Sequence, residues 1–167
     1  MFTRILLAID DNSSSSDVAT SFAIAMATEQ GASVHVVHVN EYLVGGRGVA
    51  VETHSEAMHR LESAVAALRA AGVTAQGSLY LTSCFGVESR IVNAANDWSA
   101  DVIVLGSRRR RHRFSRFGGK GMRERVTSLT TLPVLAAPAP LDIANGLPSS
   151  LGEVPSKPLA DFPSVSI

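Results

Sequence analysis

A chain of 167 residues, 46% hydrophobic and 18% charged, carries enough apolar material for one compact domain with a substantial core. It has no apolar run near the ~20 residues that span a bilayer, and its start, MFTRILLAID, lacks the layout of a signal peptide. A single cysteine, Cys84, excludes an internal disulfide, and together these features predict a cytoplasmic protein.

RILLAID (4–10) is a near-continuous aliphatic run, as expected of a strand covered on both faces. DDNSSSS then reads as a turn, with Ser16 or a neighbouring serine as N-cap. Val18, Phe22, Ala25 and Met26 fall on one helical face, and Gly31 ends that helix. SVHVVHV (33–39) predicts a second strand. After the loop NEYLVGGRGVA, the spacing of Met58, Leu61, Val65 and Leu68 predicts a helix that Gly72 stops. Residues 73–82 alternate, with Val73, Ala75, Gly77, Leu79 and Leu81 on one side, the pattern of a half-exposed strand. Val87, Ile91, Ala94 and Trp98 mark a third helix, DVIVLG (101–106) a buried strand, and Met122, Val126 and Leu129 a fourth helix. PVLAAP (133–138) reads as a last strand whose leading proline suits a strand start or a sheet edge.

Strands and helices alternating in this way predict an α/β domain over 1–138, a parallel sheet with helices on both faces. Beyond it the composition changes. Six of the seven prolines lie at 138 or later, among serines and without an apolar period, so 139–167 is expected to be a flexible tail.

The net charge of zero conceals an asymmetry. Between Arg108 and Arg125 nine cations face one acid, Glu124, a local +8 that leaves −8 on the remainder. Such a segment attracts anions, although salt screens exposed charges within ~8 Å. At its end GGKG (118–121) opens the fourth helix, where glycines permit close backbone approach and free N–H groups favour an anion.

Open parallel sheets bind ligands outside the carboxyl ends of their strands, where strand order reverses. Asp10 closes the first strand and Gly106 the fourth. Asp10 either accepts hydrogen bonds from a ligand's hydroxyls or caps the following turn, a task Asp11 could also perform. A P-loop is excluded, because Phe114 stands where the first glycine is required and no Ser or Thr follows Lys120. No G-x-S-x-G elbow occurs. His35 and His38 point to opposite faces of their strand, and His54 and His59 are five apart. All four read as structural or surface histidines, and His112 as an exposed one.

Taken together, ILLAIDDNSSSS, VHVVHV, SADVIVLGSR and ERVTSLTTLPVLAAP resemble the universal stress protein family, over roughly residues 3–138. The resemblance implies a Rossmann-like five-stranded parallel sheet in order 3-2-1-4-5 and a homodimer formed through the last strand (133–138). It also implies a non-catalytic sensor or accessory role in stress response, with ATP or another adenine nucleotide as ligand and magnesium only where ATP is bound. Family members that hold ATP carry G-x2-G-x9-G-(S/T) after the fourth strand. Here Gly106 matches the first glycine, Arg109 replaces the second, Gly119 falls on the third, and Lys120 stands where Ser or Thr belongs. Counting back from ERV instead places Lys120 and Gly121 in the Gly-Ser positions, as though the loop held one extra residue. The implied site comprises Ala8, Ile9 and Asp10 at the first strand, with Asp10 on the ribose side. Val39 and Leu105 fall at the base, and Gly106, Arg108, Arg109, Gly119, Lys120 and Gly121 at the phosphates. Arg109 removes one close backbone approach but supplies a guanidinium able to pair bidentately with phosphate. Two rival readings stand beside this one: an arginine-rich loop that grips nucleic acid or polyphosphate, and a dimeric interaction protein that binds no nucleotide. Nucleotide hydrolysis would need a general base with a partner, and none is visible.

Overall fold

The computed structural model describes residues 1–42, 50–83, 86–106 and 121–138. Strands and helices alternate there as β1 (Arg4–Ile9), α1 (Ser13–Gln30), β2 (Ser33–Tyr42), α2 (His54–Ala70), β3 (Ala75–Ser83), α3 (Val87–Asp97), β4 (Val102–Leu105), α4 (Met122–Leu129) and β5 (Val134–Ala136). The strands form one parallel sheet in the order β3-β2-β1-β4-β5, the Rossmann-like arrangement the resemblance implies. The arginine-rich segment up to Lys120 and the tail expected at 139–167 lie outside the described residues.

β1 sits at the centre, and Ile5 to Ile9 are buried without interruption because helices cover both faces. Side chains alternate along a strand, so odd and even residues enter different cores. Ile5, Leu7 and Ile9, with Val34 and Val36 of β2, meet α1 and α2 at Ala19, Ala23, Leu61 and Leu68. Leu6 and Ala8, with Val37, meet α3 and α4 at Val87, Ile91, Ala95 and Val126. Each large aliphatic side chain so buried contributes about 1.5–3 kcal/mol.

The sheet-facing side of α1 is not the one its apolar period suggests. Ser15, Ser16, Ala19, Thr20, Ala23 and Ala27 are buried, whereas Val18, Phe22 and Met26 are half-buried and Ala25 is exposed. Small residues let the helix lie close on the sheet, and the larger apolar groups pack along its flanks. Thr20 becomes compatible with burial by donating its hydroxyl to Ser16 O at 2.7 Å. The N-cap is Asn12 rather than Ser16, its Oδ1 accepting from Ser15 N at 2.9 Å, and Gly31 ends the helix at φ 66°.

A capping box starts α2: Thr53 Oγ1 accepts from Glu56 N, and Glu56 Oε2 accepts from Thr53 N. At its other end Gly72 turns at φ 81° and Val73 N donates to Leu68 O at 3.0 Å, which keeps Val73 out of β3. Leu81 and Leu129, which share the apolar period of their strand and helix, are 62% and 50% exposed. Leu81 lies near the end of an edge strand, and the single fully buried residue of α4 is Val126.

At the amino edge of the sheet, Asp101 Oδ2 accepts from Thr3 N, Thr3 Oγ1 and Arg4 N at 2.6, 2.7 and 2.8 Å. These donors hold its carboxyl below the usual carboxylate range. No helix among the described residues is long and apolar enough to cross a membrane.

Candidate functional site

Every helix that follows a strand in this architecture begins at the carboxyl edge of the sheet. The chain leaves β1 towards α1 on one face and leaves β4 towards α4 on the other. β1 and β4 are neighbours, with Ala8 level with Leu105, and their carboxyl ends are where a parallel sheet of this order can open a crevice for a ligand. Asp10 and Gly106, the residues that follow these strands, stand on either side of it. On the far side of β1 the register sets Ile9 against His38, so Val39 comes next to Asp10.

Asp10 is half-buried, and one carboxylate oxygen serves the turn. Oδ1 accepts from Asn12 N at 3.0 Å, while Ser16 Oγ donates to Asp10 O at 2.9 Å and reaches Oδ1 at 3.4 Å. Asp10 itself therefore performs the capping that the sequence leaves open between Asp10 and Asp11. Its Oδ2 has no hydrogen-bond partner among the described residues and can accept from a ligand at the same time.

Gly106 answers to a close approach. A Cβ there would meet Ser15 Oγ at 2.7 Å and would also contact Ala19 Cβ at 3.9 Å. Ser15 is 4% exposed, and its hydroxyl makes no hydrogen bond among the described residues. An orphaned buried hydroxyl costs roughly 1–3 kcal/mol unless something else satisfies it. Sequence reasoning missed Ser15, because four consecutive serines look alike until the helix start and its facing are known.

Of the other expected residues, Ala8, Ile9 and Leu105 are buried at the strand ends and Val39 is half-buried beside Tyr80 in the sheet register. Gly121 is the exposed N-cap of α4, with no side-chain cap on the free N–H groups behind it. Arg108, Arg109, Gly119 and Lys120 lie outside the described residues. No three His, Cys, Asp or Glu side chains among the described residues converge as metal ligands.

A second polar cluster borders the crevice. His38 is 1% exposed, with Nδ1 3.2 Å from Ile9 O and Nε2 2.6 Å from Glu52 Oε2. Glu52 Oε1 accepts from Arg60 Nε and Nη2 at 3.0 and 2.8 Å. His35 takes the opposite face, edge-on to Trp98 at 5.3 Å, as strand alternation requires. Burial pushes its imidazole below the usual histidine range.

The sequence profile of the universal stress protein family matches residues 1–138. Among curated proteins none matches significantly. The chain is similar to a universal stress protein from Archaeoglobus fulgidus, 27% identical with a TM-score of 0.63, over 83% of this chain and 100% of that one. The Archaeoglobus fulgidus universal stress protein in complex with dAMP is 25% identical with a TM-score of 0.61, covering 81% of this chain and 98% of its own. An Arabidopsis thaliana family protein with AMP bound shares the fold, at 14% identity and a TM-score of 0.59, over 84% of this chain and 94% of that one. With the profile match spanning every described element, and the sheet order in place, the chain belongs to the universal stress protein family.

Proposed function

We propose that the crevice between the ends of β1 and β4 binds ATP or another adenine nucleotide without turning it over, and that the protein serves as a stress-response sensor or accessory protein in the cytoplasm. The observation that carries this reading is the placement of Asp10 and Gly106 just past the ends of the adjacent strands β1 and β4, with Gly106 against Ser15, whose hydroxyl makes no hydrogen bond among the described residues. The dAMP complex of the similar Archaeoglobus fulgidus protein supports the ligand class.

In this reading Asp10 Oδ2 accepts from the ribose hydroxyls, while Ala8, Ile9, Val39 and Leu105 flank the base. Gly106, Arg108, Arg109, Gly119, Lys120 and Gly121 take the phosphates, helped by the positive end of α4. Magnesium, when ATP brings it, is held chiefly by phosphate oxygens and water. Residues 1–138 form the binding unit, and a homodimer forms through β5, an edge strand with half-buried residues. Asp10 Oδ1 is engaged with its own turn, which supports binding over catalysis.

The excess of cations from 108 to 125 favours a second reading, polyanion binding by that segment alone. Thermal unfolding at constant ionic strength with ATP, AMP, cyclic AMP and inorganic phosphate separates the two. A nucleotide at a hundredfold excess over Kd adds about 2.7 kcal/mol to apparent stability. The expected result is stabilisation that depends on the adenosine moiety. Equal stabilisation by every polyphosphate, abolished by salt, supports the second reading, and no response to any of them overturns both.

A further inference from the structure

Glu52 is held to the end of β2 by more than its carboxylate. Asn40, two residues after His38 and on the same face of the strand, donates Nδ2 to Glu52 O at 2.8 Å and accepts from Glu52 N at 3.3 Å. Val51 N donates to Glu41 O at 2.8 Å, so residues 50–52 run along β2 and the carboxylate has little freedom. On one side it meets Arg60 of α2, and on the other the buried ring of His38. That ring spans to the last carbonyl of β1, at Ile9, the residue before Asp10.

Ile9 O only accepts, so Nδ1 of the buried His38 ring donates to it, while Nε2 lies 2.6 Å from Glu52 Oε2. The charged groups around the ring are Glu52, from the segment before α2, and Arg60, from α2. β1 presents the Ile9 carbonyl with Asp10 next in sequence, and α1 adds Asp17 to the groove that Arg60 also lines.

We propose that His38, anchored through Glu52 to Arg60, is a positioning residue that sets the ends of β1 and β2 for the adenine nucleotide. The inference rests on the nucleotide reading above for its ligand, and on the hydrogen-bond chain for its mechanism. His38 touches no ligand in this scheme. It fixes the Ile9–Asp10 peptide and, through its own backbone, Val39.

The test uses the full chain and compares wild type with Glu52→Gln, whose amide can still hydrogen-bond to His38 Nε2 and accept from Arg60, and with Glu52→Ala, which removes both contacts. Calorimetric titration with ATP is expected to show affinity about tenfold weaker in Glu52→Ala, the equivalent of one hydrogen bond, and within about threefold of wild type in Glu52→Gln. Wild-type affinity in Glu52→Ala, or an equal loss in both variants, overturns the proposal. In ligand-free protein, the amide resonances of Asp10 and Val39 should move in Glu52→Ala and stay near their wild-type positions in Glu52→Gln. If they do so while none of the proteins binds nucleotide, the positioning chain stands and the ligand assignment falls. Should Glu52→Ala not fold, Arg60→Ala, which frees the Glu52 carboxylate, takes its place with the same outcomes.

Discussion

The first turn of α1 touches the end of β4 at Ser15 and Gly106, so closely that a Cβ on Gly106 would stand 2.7 Å from Ser15 Oγ. The contact sets a glycine against a buried hydroxyl that makes no hydrogen bond among the described residues, at one wall of the proposed crevice. The neighbouring wall is the turn that Asp10 caps.

Replacing Gly106 by Ala should force Ser15 aside and destabilise the protein by about 1–3 kcal/mol, as overpacking does. Ser15→Ala should behave oppositely. It removes a hydroxyl with no partner among the described residues, so stability is expected to hold or rise slightly. ATP affinity should nonetheless fall about tenfold if that hydroxyl serves the ligand. Urea unfolding and calorimetric titration of both variants check the pair.

Asp10→Asn separates the two tasks of that side chain. The amide oxygen still accepts from Asn12 N, so the unfolding midpoint should change little. The Oδ2 position becomes a donor, which cannot accept from ribose hydroxyls, and affinity for AMP should drop at least tenfold. Unchanged affinity would remove Asp10 from the site.

His35 contributes a pH dependence of stability that owes nothing to the crevice. Gln76 Nε2 donates to Nδ1 at 3.2 Å, so the neutral ring carries its hydrogen on Nε2 and donates to Ser78 Oγ at 2.9 Å. Burial lowers the folded-state pKa below the unfolded value of about 6.5, so protonation favours the unfolded chain. Its contribution is present above about pH 6.5 and is lost as pH falls towards the lowered folded value. Urea midpoints measured from pH 8 to 5 should fall less steeply in His35→Gln than in wild type.

Asp101 titrates in the acid range. Backbone and side-chain hydrogen bonds from Thr3, then the Arg4 amide, depress its folded pKa. The stability it supplies is present above an unfolded carboxylate pKa of about 3.9 and is lost as pH falls through the lower folded value. Asp101→Asn should therefore unfold at lower temperature than wild type at pH 7, and the gap should close as the acid limit is approached. A gap independent of pH would mean that the hydrogen-bond geometry, and not the charge, is what matters.

The sites of agreement and disagreement between sequence and structure have physical causes. Aliphatic runs such as RILLAI and VIVL, short and bounded by turn residues, fit strands with cover on both sides, and both are. The amphipathic period misled at α1, because a helix pressed close against a sheet buries alanine and serine and leaves larger apolar groups at its flanks. Asp10 was legible as a strand-terminal carboxylate, but its division between turn and crevice was not, since the geometry of Asn12 and Ser16 decides which oxygen is engaged.

By itself the sequence determined the alternation of strands and helices, the helix stops at Gly31 and Gly72, and, through its resemblance to a known family, the order of the sheet. These follow from local periodicity, from backbone conformations open chiefly to glycine, and from motifs that travel together. Only the tertiary structure decided that Ser15 is the serine set against Gly106 and that Glu52 reaches back to His38. Both facts are long-range contacts, set by how closely α1 packs on the sheet and by residues 50–52 returning along β2, and no local pattern encodes them.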